Sequence, residues 1–526
     1  MNEIKEIIQK AIREAYPDIE MPDFVVTDAP EKFGDFSTNV AMILGKRLGE
    51  SPGEIANKIA KIVEQTKDNQ KVEKVEVVKP GFINFKMQIP YWTEKISEIL
   101  ETDNKYGQNN FGQNRKVDVE FISANPTGPL TVGNARGGVI GDCIASVLEK
   151  SGWQVTREYY FNDAGGQIDI LGHSILADDK AEYKGDYIEE LRGQIETKDY
   201  KEAGKLAAKI LIEKIKKTAE EMGIKFDVFF AEGKDLRDKN KVKETIEWLK
   251  SKDLIYEKDG AVWFLSTKFG DDKDRVLIKT SGEPTYFGVD ASYHRNKFQE
   301  RNFDRVIDIW GADHHGDVSR IKGFVKALGY EDKFEIVLHQ FVRIVVSGKE
   351  VRMSKRTGNF IAVEDLLKEV GKDAYRFFML AYDLNSHMTF DLNLAKEQSQ
   401  KNPVYYVQYA YARIASILAK IKNQNAKIIS NDQITKLLKE PEEIALIKQL
   451  AKLPNLVEEI GQSYQIQKLP FYATELANAF HGFYEKCPVL QAEAEVKLAR
   501  LQLLKATQIV LKNTLDIMGI SAPEKM

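Results

Sequence analysis

The sequence predicts an α/β protein whose central domain is built on a parallel sheet, preceded by a small α+β domain and followed by an all-α bundle. Three observations carry this prediction. Between Val117 and Phe161 a β-rich run, a Gly/Pro-rich turn, an apolar-striped helix and a second β-rich run follow one another, the order from which parallel sheets are assembled. Ahead of it, helical periodicity gives way to two short strand-like runs, and after about Asn402 strand patterns stop while helical periodicity runs to the end. A chain of 526 residues is too long for one hydrophobic core, and length alone leads to about three or four domains.

The elements follow in order. Ile4, Ile7, Ile8, Ala11, Ile12 and Ala15 recur at helical spacing, so the chain opens with an amphipathic helix, and a second helical stretch lies near Ile55 to Val63. Strand-like Val75–Val78 and Phe82–Phe85 are split by the turn residues Pro80 and Gly81, which completes a first domain over 1–86. An Asn-, Gln- and Gly-rich stretch from Asp103 to Asn114 leads into the central domain, placed at 115–385. It begins with a strand at Val117–Ile122 and a turn from Asn125 to Gly133. A helix follows with Val139, Ile140, Cys143, Ile144, Val147 and Leu148 on one stripe, then a strand at Gln154–Phe161 and a later one at Arg305–Trp310. Residues 177–263 are dense in Lys and Glu and read as a largely helical insertion. The last domain, 395–526, is a helical bundle. Its final helix carries Leu501, Leu504, Leu511, Leu515 and Met518, and Gly519 stands at a helix stop position.

Composition narrows the function. Hydrophobic residues make up 43% and charged residues 30% of the chain, ordinary for a soluble enzyme. The net charge of −4 excludes a general nucleic-acid sponge. The charge is uneven, with 16 Lys+Arg against 12 Asp+Glu from Lys401 onward, a mildly basic end that suits a polyanion. The two cysteines, Cys143 and Cys487, form no CxxC pair, which excludes a zinc knuckle and fits a reducing compartment. The charged N-terminus is no signal peptide, and no run of about 18 apolar residues suggests a membrane span. A cytoplasmic monomer without membrane contact is expected.

A turn that joins a parallel strand to a helix is where α/β proteins hold phosphates, because backbone N–H groups and the helix dipole converge there. The turn here carries Gly128, Gly133, Gly137 and Gly138, which fails the GxGxxG spacing. Gly128 and Gly133 have the spacing of a P-loop, but Asn134 and Ala135 stand where Lys and Ser/Thr are needed. The whole stretch from Glu120 to Val139, EFISANPTGPLTVGNARGGV, instead closely resembles the first signature of class I aminoacyl-tRNA synthetases in its arginyl form. That signature ends in the ATP-contacting HIGH motif, here Thr131, Val132, Gly133 and Asn134. Both histidines are replaced, although Thr and Asn still offer hydrogen-bond donors to phosphate or ribose oxygens. Downstream, Arg352, Met353, Ser354, Lys355 and Arg356 resemble the KMSKS loop of the same class. A cation-bearing loop can meet the charge that builds on departing phosphates, and Lys355 is the first candidate, with Arg352 beside it.

This resemblance implies a Rossmann-like catalytic domain, ATP with Mg²⁺ as cosubstrate, L-arginine as the amino acid and tRNA(Arg) as acceptor. It implies ATP contacts at Pro126, Thr127, Gly128, Thr131, Gly133, Asn134, Met353, Ser354 and Lys355, with Thr131, Asn134, Arg352 and Lys355 as the catalytic set. It implies arginine contacts at Glu120, Ser123 and Asn125 before the turn, and at Tyr286 and Asp290 in TYFGVD, four apart and so on one face of a helical turn. Asn162 and Asp163 in YYFNDAGGQ match a further motif beside the site. Asp313, His314 and His315 are metal-ligand types, but adjacent histidines point apart and no third His or Cys stands near. The GADHHG stretch resembles a family stretch at the substrate or adenosine pocket; His314 is placed with the arginine contacts, and no resident metal is expected.

The bundle opens with NPVYYVQYAYARI, which resembles the start of the arginyl anticodon-binding domain. The resemblance implies tRNA contacts at Asn402, Tyr405, Tyr409, Arg413 and the terminal Met526, with stacking of bases on the tyrosines. FGDFSTN at 33–39 and KPGFINFK at 79–86 resemble the family's extra domain, which touches the tRNA elbow. The expected reaction is two-step, activation of arginine as its adenylate followed by transfer to the terminal 2′-hydroxyl of the tRNA. A regulatory paralogue without chemistry, and a synthetase for another amino acid, are the rival readings.

Overall fold

The computed structural model describes residues 1–65, 71–351, 362–420 and 429–526. The N-terminal domain contains α1 (Asn2–Ala15), β1 (Val26–Asp28), β2 (Phe36–Thr38), α2 (Val40–Leu48), α3 (Pro52–Gln65), β3 (Val72–Val78) and β4 (Phe82–Met87). Its antiparallel sheet has the order β1-β2-β4-β3. Ile4, Ile8, Ala11 and Ile12 of α1 are buried together with Ile55, Ile59 and Val63 of α3, as the apolar spacing of both segments requires. The helix α4 (Ile89–Thr102) leads out of this domain.

The central domain runs through β5 (Lys116–Glu120), α5 (Val132–Lys150), β6 (Gln154–Phe161), α6 (Gly166–Leu176), α7 (Asp186–Arg192), α8 (Tyr200–Glu221) and β7 (Val228–Ala231). It continues with α9 (Lys241–Ser251), β8 (Ile255–Lys258), β9 (Ala261–Phe264), β10 (Arg275–Ile278), α10 (Tyr286–Arg295), β11 (Arg305–Gly311), α11 (Val318–Leu328) and β12 (Phe334–His339). Strands β12, β11, β5, β6 and β7 form one sheet in that order, with every pairing parallel. All of β5 beyond Lys116 is buried, which explains why VDVEFI shows no strict two-residue alternation: a strand covered on both faces has no solvent side. The sheet grows from β5 to β6 and β7, and the chain then returns to lay β11 on the opposite side of β5. That reversal opens a crevice at the carboxyl ends of β5 and β11, the place where open parallel sheets take ligands.

The 177–263 segment differs from its expected helical character. Helices α7 to α9 lie there, but so does β7, the edge strand of the parallel sheet, and so do β8 and β9 of the antiparallel sheet β10-β9-β8. The VFFA run of β7 is only four residues long, too short to stand out against the charged helices around it.

Beyond β12 come β13 (Val342–Val346), β14 (Lys349–Val351), α12 (Val363–Leu380, interrupted at Gly371), β15 (Met388–Asp391) and α13 (Leu392–Lys396). The C-terminal bundle comprises α14 (Pro403–Ala419), α15 (Asn431–Leu437), α16 (Pro441–Leu450), α17 (Leu453–Ser463), α18 (Lys468–Lys486) and α19 (Ala494–Ile517). Gly519 ends α19 at φ +67°, the left-handed conformation that suits glycine at a helix stop. The bundle also meets the front of the chain. Lys448 on α16 pairs with Asp35, and the Asn513 amide on α19 donates to the carbonyls of Asp103 (2.9 Å) and Tyr106 (3.1 Å).

Candidate active site

The crevice at the ends of β5 and β11 is a cavity of about 680 Å³. Strand β5 does not continue to Ile122 as expected. Ile122 (φ +67°) and Ser123 (φ +39°) both take left-handed backbone, unfavourable for side chains with a Cβ and concentrated where a chain must turn sharply into a site. The Ser123 hydroxyl accepts the Tyr160 N–H (3.1 Å), and the Asn125 amide donates to Gln167 (2.7 Å). These bonds fix the turn to β6 and α6.

Helix α5 starts earlier than its apolar stripe suggests, at Val132, so Gly133 and Asn134 belong to its first turn. The cause is a capping box. Thr131 Oγ1 accepts the Asn134 N–H (3.4 Å) and donates to Asn134 Oδ1 (2.7 Å), which also takes the Thr131 N–H (3.4 Å). The two residues that replace the HIGH histidines are therefore bonded to one another, and with Gly133 they line the crevice at the start of α5. Thr131 also bridges Ala362 across the cleft mouth, and the Val363 N–H reaches the Leu130 carbonyl (3.3 Å).

One wall of the cavity is acidic. Glu120, Asp290, Glu232 and Asp308 line it with Tyr160, Asn162 and Tyr293. Glu232 is buried, accepting from the Tyr160 hydroxyl (2.6 Å) and from Arg237 (2.7 Å). Asp290 and Tyr286 share one face of α10, as their spacing predicts; Tyr286 stands at the rim, 60% exposed. Burial pushes the Asp290 carboxyl up to about 7, with Glu120 and Glu232 adding to the rise while His294 and Arg320 oppose it. Among the described residues Asp290 forms no ion pair, and a bound cation would favour its charged form.

The other wall is formed by Thr131, Gly133, Asn134, Gly137, His314, His339 and Phe341. A Cβ on Gly137 would lie 2.8 Å from His339 Nε2, so only glycine lets the imidazole approach α5. Burial, with the Arg136 guanidinium next to it, pulls His339 down to about 4 and keeps it neutral. His314 is exposed on the turn Ala312–Asp317, with Asp317 3.5 Å away, whereas His315 is not part of the lining.

Of the expected residues, the cavity brings together Glu120, Ser123, Asn125, Thr131, Gly133, Asn134, Asn162, Tyr286, Asp290 and His314. Pro126, Thr127 and Gly128 do not line it; the Thr127 carbonyl instead accepts from Tyr187 of α7 (3.1 Å). Asp163 accepts the Gly233 N–H (2.5 Å), holding the turn that carries Glu232. Arg352, Met353, Ser354 and Lys355 lie outside the described residues. Sequence reasoning missed Glu232, Asp308, Lys297 and His339. Glu232 and His339 follow β7 and close β12, so a firm assignment of those strand ends was the signal available. Among the described residues, no group of three or more His, Cys, Asp or Glu is poised for a metal ion.

In the bundle, Tyr405 and Tyr409 share a face of α14; Tyr409 is 36% exposed and stacks on His481 (6.0 Å between ring centres). Arg413 donates to the Tyr484 hydroxyl (2.7 Å) and is exposed. Asn402 behaves differently from its expected role. It is buried as the N-cap of α14, accepting the Val404 N–H (3.2 Å) and donating to the carbonyls of Ala395 (3.1 Å) and Glu397 (2.9 Å).

Comparison with known proteins agrees with this architecture. The family model "Arginyl tRNA synthetase N terminal domain" matches residues 2–87, and "tRNA synthetases class I (R), catalytic domain" matches 95–196 and 187–382. "DALR anticodon binding domain" matches residues 407–526. A protein named arginine–tRNA ligase from Acetivibrio thermocellus is 42% identical, over 100% of this chain and 98% of its own. One of the same name from Moorella thermoacetica is also 42% identical, over 96% and 94% respectively. The fold matches Thermus thermophilus arginyl-tRNA synthetase with a TM-score of 0.80 at 21% identity, covering 100% of both chains. With all three family models present in chain order and full-length relatives at this identity, the chain belongs to the arginyl-tRNA synthetase family.

Proposed function

We propose that the protein is an arginine–tRNA ligase that works in the cytoplasm as a monomer, with one active site in the crevice between β5 and β11. The observation that carries this is the division of the cavity into an acidic wall and a wall made by the first turns of α5. Arginine brings two cationic groups, and Glu120, Glu232 and Asp290 are the carboxylates that can meet them. ATP is the polyanion, and the N-terminus of α5 at Thr131–Asn134 supplies N–H groups and a positive dipole end.

In the first step the arginine carboxylate attacks the α-phosphate of ATP, an O–P bond forms, and pyrophosphate leaves. In the second, the terminal ribose 2′-hydroxyl of tRNA(Arg) attacks the carbonyl and AMP leaves. The residues contribute positioning and charge stabilisation rather than covalent chemistry. Lys355 and Arg352 are assigned to the charge that builds on pyrophosphate. Mg²⁺ comes with the triphosphate and compensates its charge. Tyr409 and Arg413 are exposed and Tyr405 half-buried, a partly aromatic face suited to unstacked bases; Met526 is exposed too, and Asn402 acts through the start of α14. Among the described residues, no helix is long and apolar enough to cross a membrane.

The test is pyrophosphate exchange into ATP with purified protein. Exchange that needs arginine, and that other amino acids do not support, is expected when tRNA(Arg) is present. Exchange indifferent to arginine removes the assignment.

A further inference from the structure

Behind the acidic wall lies a charge cluster of which the chemistry above uses only Glu120. Glu158, Glu120 and Asp308 sit at one level across the adjacent strands β6, β5 and β11, because Glu120 is in register with both of the others. Asp118, two residues before Glu120, points to the same sheet face. Into this face reaches Lys297, from the π-helical turn Asn296–Glu300 that continues α10. Its side chain is fully buried, and its Nζ is 2.5 Å from Glu120, 2.9 Å from Asp308 and 3.0 Å from Asp118.

The other cations have their own partners. Arg301 binds Glu158 and His294 Nε2 binds Asp308 (2.9 Å), while the Tyr293 hydroxyl also goes to Glu158. Lys297 is therefore the cation bonded to Glu120 among the described residues. It grips Oε2 alone, and Oε1 makes no hydrogen bond within the described protein although Glu120 lines the cavity. A half-used carboxylate at a substrate wall, anchored from behind by a lysine that no solvent reaches, is an acceptor held ready.

We propose that Lys297 is a positioning residue for the amino-acid substrate: by holding one oxygen of Glu120, it presents the other as an ionised acceptor to a cationic group of arginine. The proposal rests on the reading of the cavity as an arginine site. Two effects combine. The Lys297 bond fixes the Glu120 rotamer, and its charge opposes the burial, Asp308 and Glu158, all of which push the Glu120 carboxyl upward. Without Lys297, the influences that raise the Glu120 carboxyl lose the charge that opposes them, and its hold on a cation weakens. Lys297 also sits one turn beyond the helix that carries Asp290, so one element orients both acceptors of the wall.

The experiment measures the Michaelis constants for arginine, ATP and tRNA in the full-length protein, with wild type, Lys297→Met, Glu120→Gln and Lys297→Met/Glu120→Gln. Wild-type dependence on arginine is established first; its absence would reject the functional reading itself. With it in place, Lys297→Met is expected to raise the arginine constant by about 10- to 100-fold, the scale of a lost charge-assisted bond, and to leave those for ATP and tRNA within twofold. The double variant is expected to be no worse than either single one, because both act through the same carboxylate. Lys297→Met/Asp118→Asn removes one buried carboxylate with the lysine, and is the variant to use if Lys297→Met does not fold. An unchanged arginine constant, an equal rise for ATP, or additive effects in the double variant each overturn the proposal.

Discussion

The Asp290 carboxyl lines the cavity with no ion pair among the described residues, and burial that pushes it up to about 7 makes the pocket sensitive to pH. The ionised form is the one that attracts arginine. As pH falls through 7, the free protein takes a proton at Asp290 that a cationic substrate must displace. The arginine constant is expected to rise toward tenfold per pH unit below 7 and to level off above 8, and Asp290→Asn is expected to flatten that dependence while raising the constant throughout. Steady-state kinetics between pH 6 and 8.5 check this; a slope unaltered in the variant assigns the titration to another group. The linkage has a stability side. A carboxylate whose folded pKa is raised above its unfolded value costs stability as pH rises through the interval from 3.8 to about 7, so the empty protein gains from protonation of Asp290. Asp290 and Tyr286 were legible from the sequence because a family motif and a four-residue spacing both marked them. Glu232, Asp308 and Lys297 were not, since each is an ordinary charged residue until the fold brings Glu232 and Asp308 to the crevice and Lys297 behind it.

At the scale of elements, regular strands and helices were legible wherever one period dominated. Gln154–Phe161 is β6 to the residue, and the periodic apolar positions of α5 and α19, with Ile4, Ile8, Ala11 and Ile12 of α1, are buried, while Ile7 and Ala15 are half-buried. Short pieces escaped. β1, β2 and β7 have three or four residues each, too few for a two-residue alternation to separate from chance, and β7 is surrounded by lysine- and glutamate-rich helices. Helix starts depend on local polar bonds rather than on periodicity, which is why α5 begins at Val132. The Thr131–Asn134 box accounts for that start and suggests why this chain does without histidines: both side chains serve as a cap as well as facing the nucleotide wall. Thr131→Ala is expected to lower the stability of the fold by about 1 kcal/mol through loss of the cap. The accompanying loss in adenylate formation should exceed that, because the helix terminus is the proposed phosphate cradle. Thr131→Ser keeps the hydroxyl and is expected to restore both. Denaturation midpoints and single-turnover rates separate the two effects, and a rate that falls only in proportion to stability would confine Thr131 to capping.

Across the whole molecule, one joint between the C-terminal bundle and the catalytic domain is centred on a buried arginine. Arg376 on α12 donates to the Met518 carbonyl at the end of α19 (2.6 Å), to the Met222 carbonyl after α8 (3.1 Å) and to Asp142 on α5 (2.6 Å). Asp142 in turn takes Arg157 of β6 (3.0 Å). The end of the bundle is thus tied to the helix whose first turn frames the nucleotide wall. Gly519 completes the joint. Its φ of +67° is strained for any residue with a Cβ, and a Cβ there would lie 2.5 Å from the guanidinium of Arg376. Arg376→Met leaves one oxygen of Asp142 and two carbonyls short of a partner while Arg157 still compensates the charge, at a cost of about 1–3 kcal/mol. Gly519→Ala combines the left-handed backbone, about 1–2 kcal/mol, with the collision. The collision exists only while Arg376 is present, whereas the backbone cost is there in either case. Gly519→Ala is therefore expected to lower the denaturation midpoint more in the wild-type chain than in the Arg376→Met background, with a residual shift set by the backbone alone. Equal shifts in the two backgrounds would mean that Gly519 and Arg376 do not share the joint, and that the bundle is anchored to α5 by other contacts.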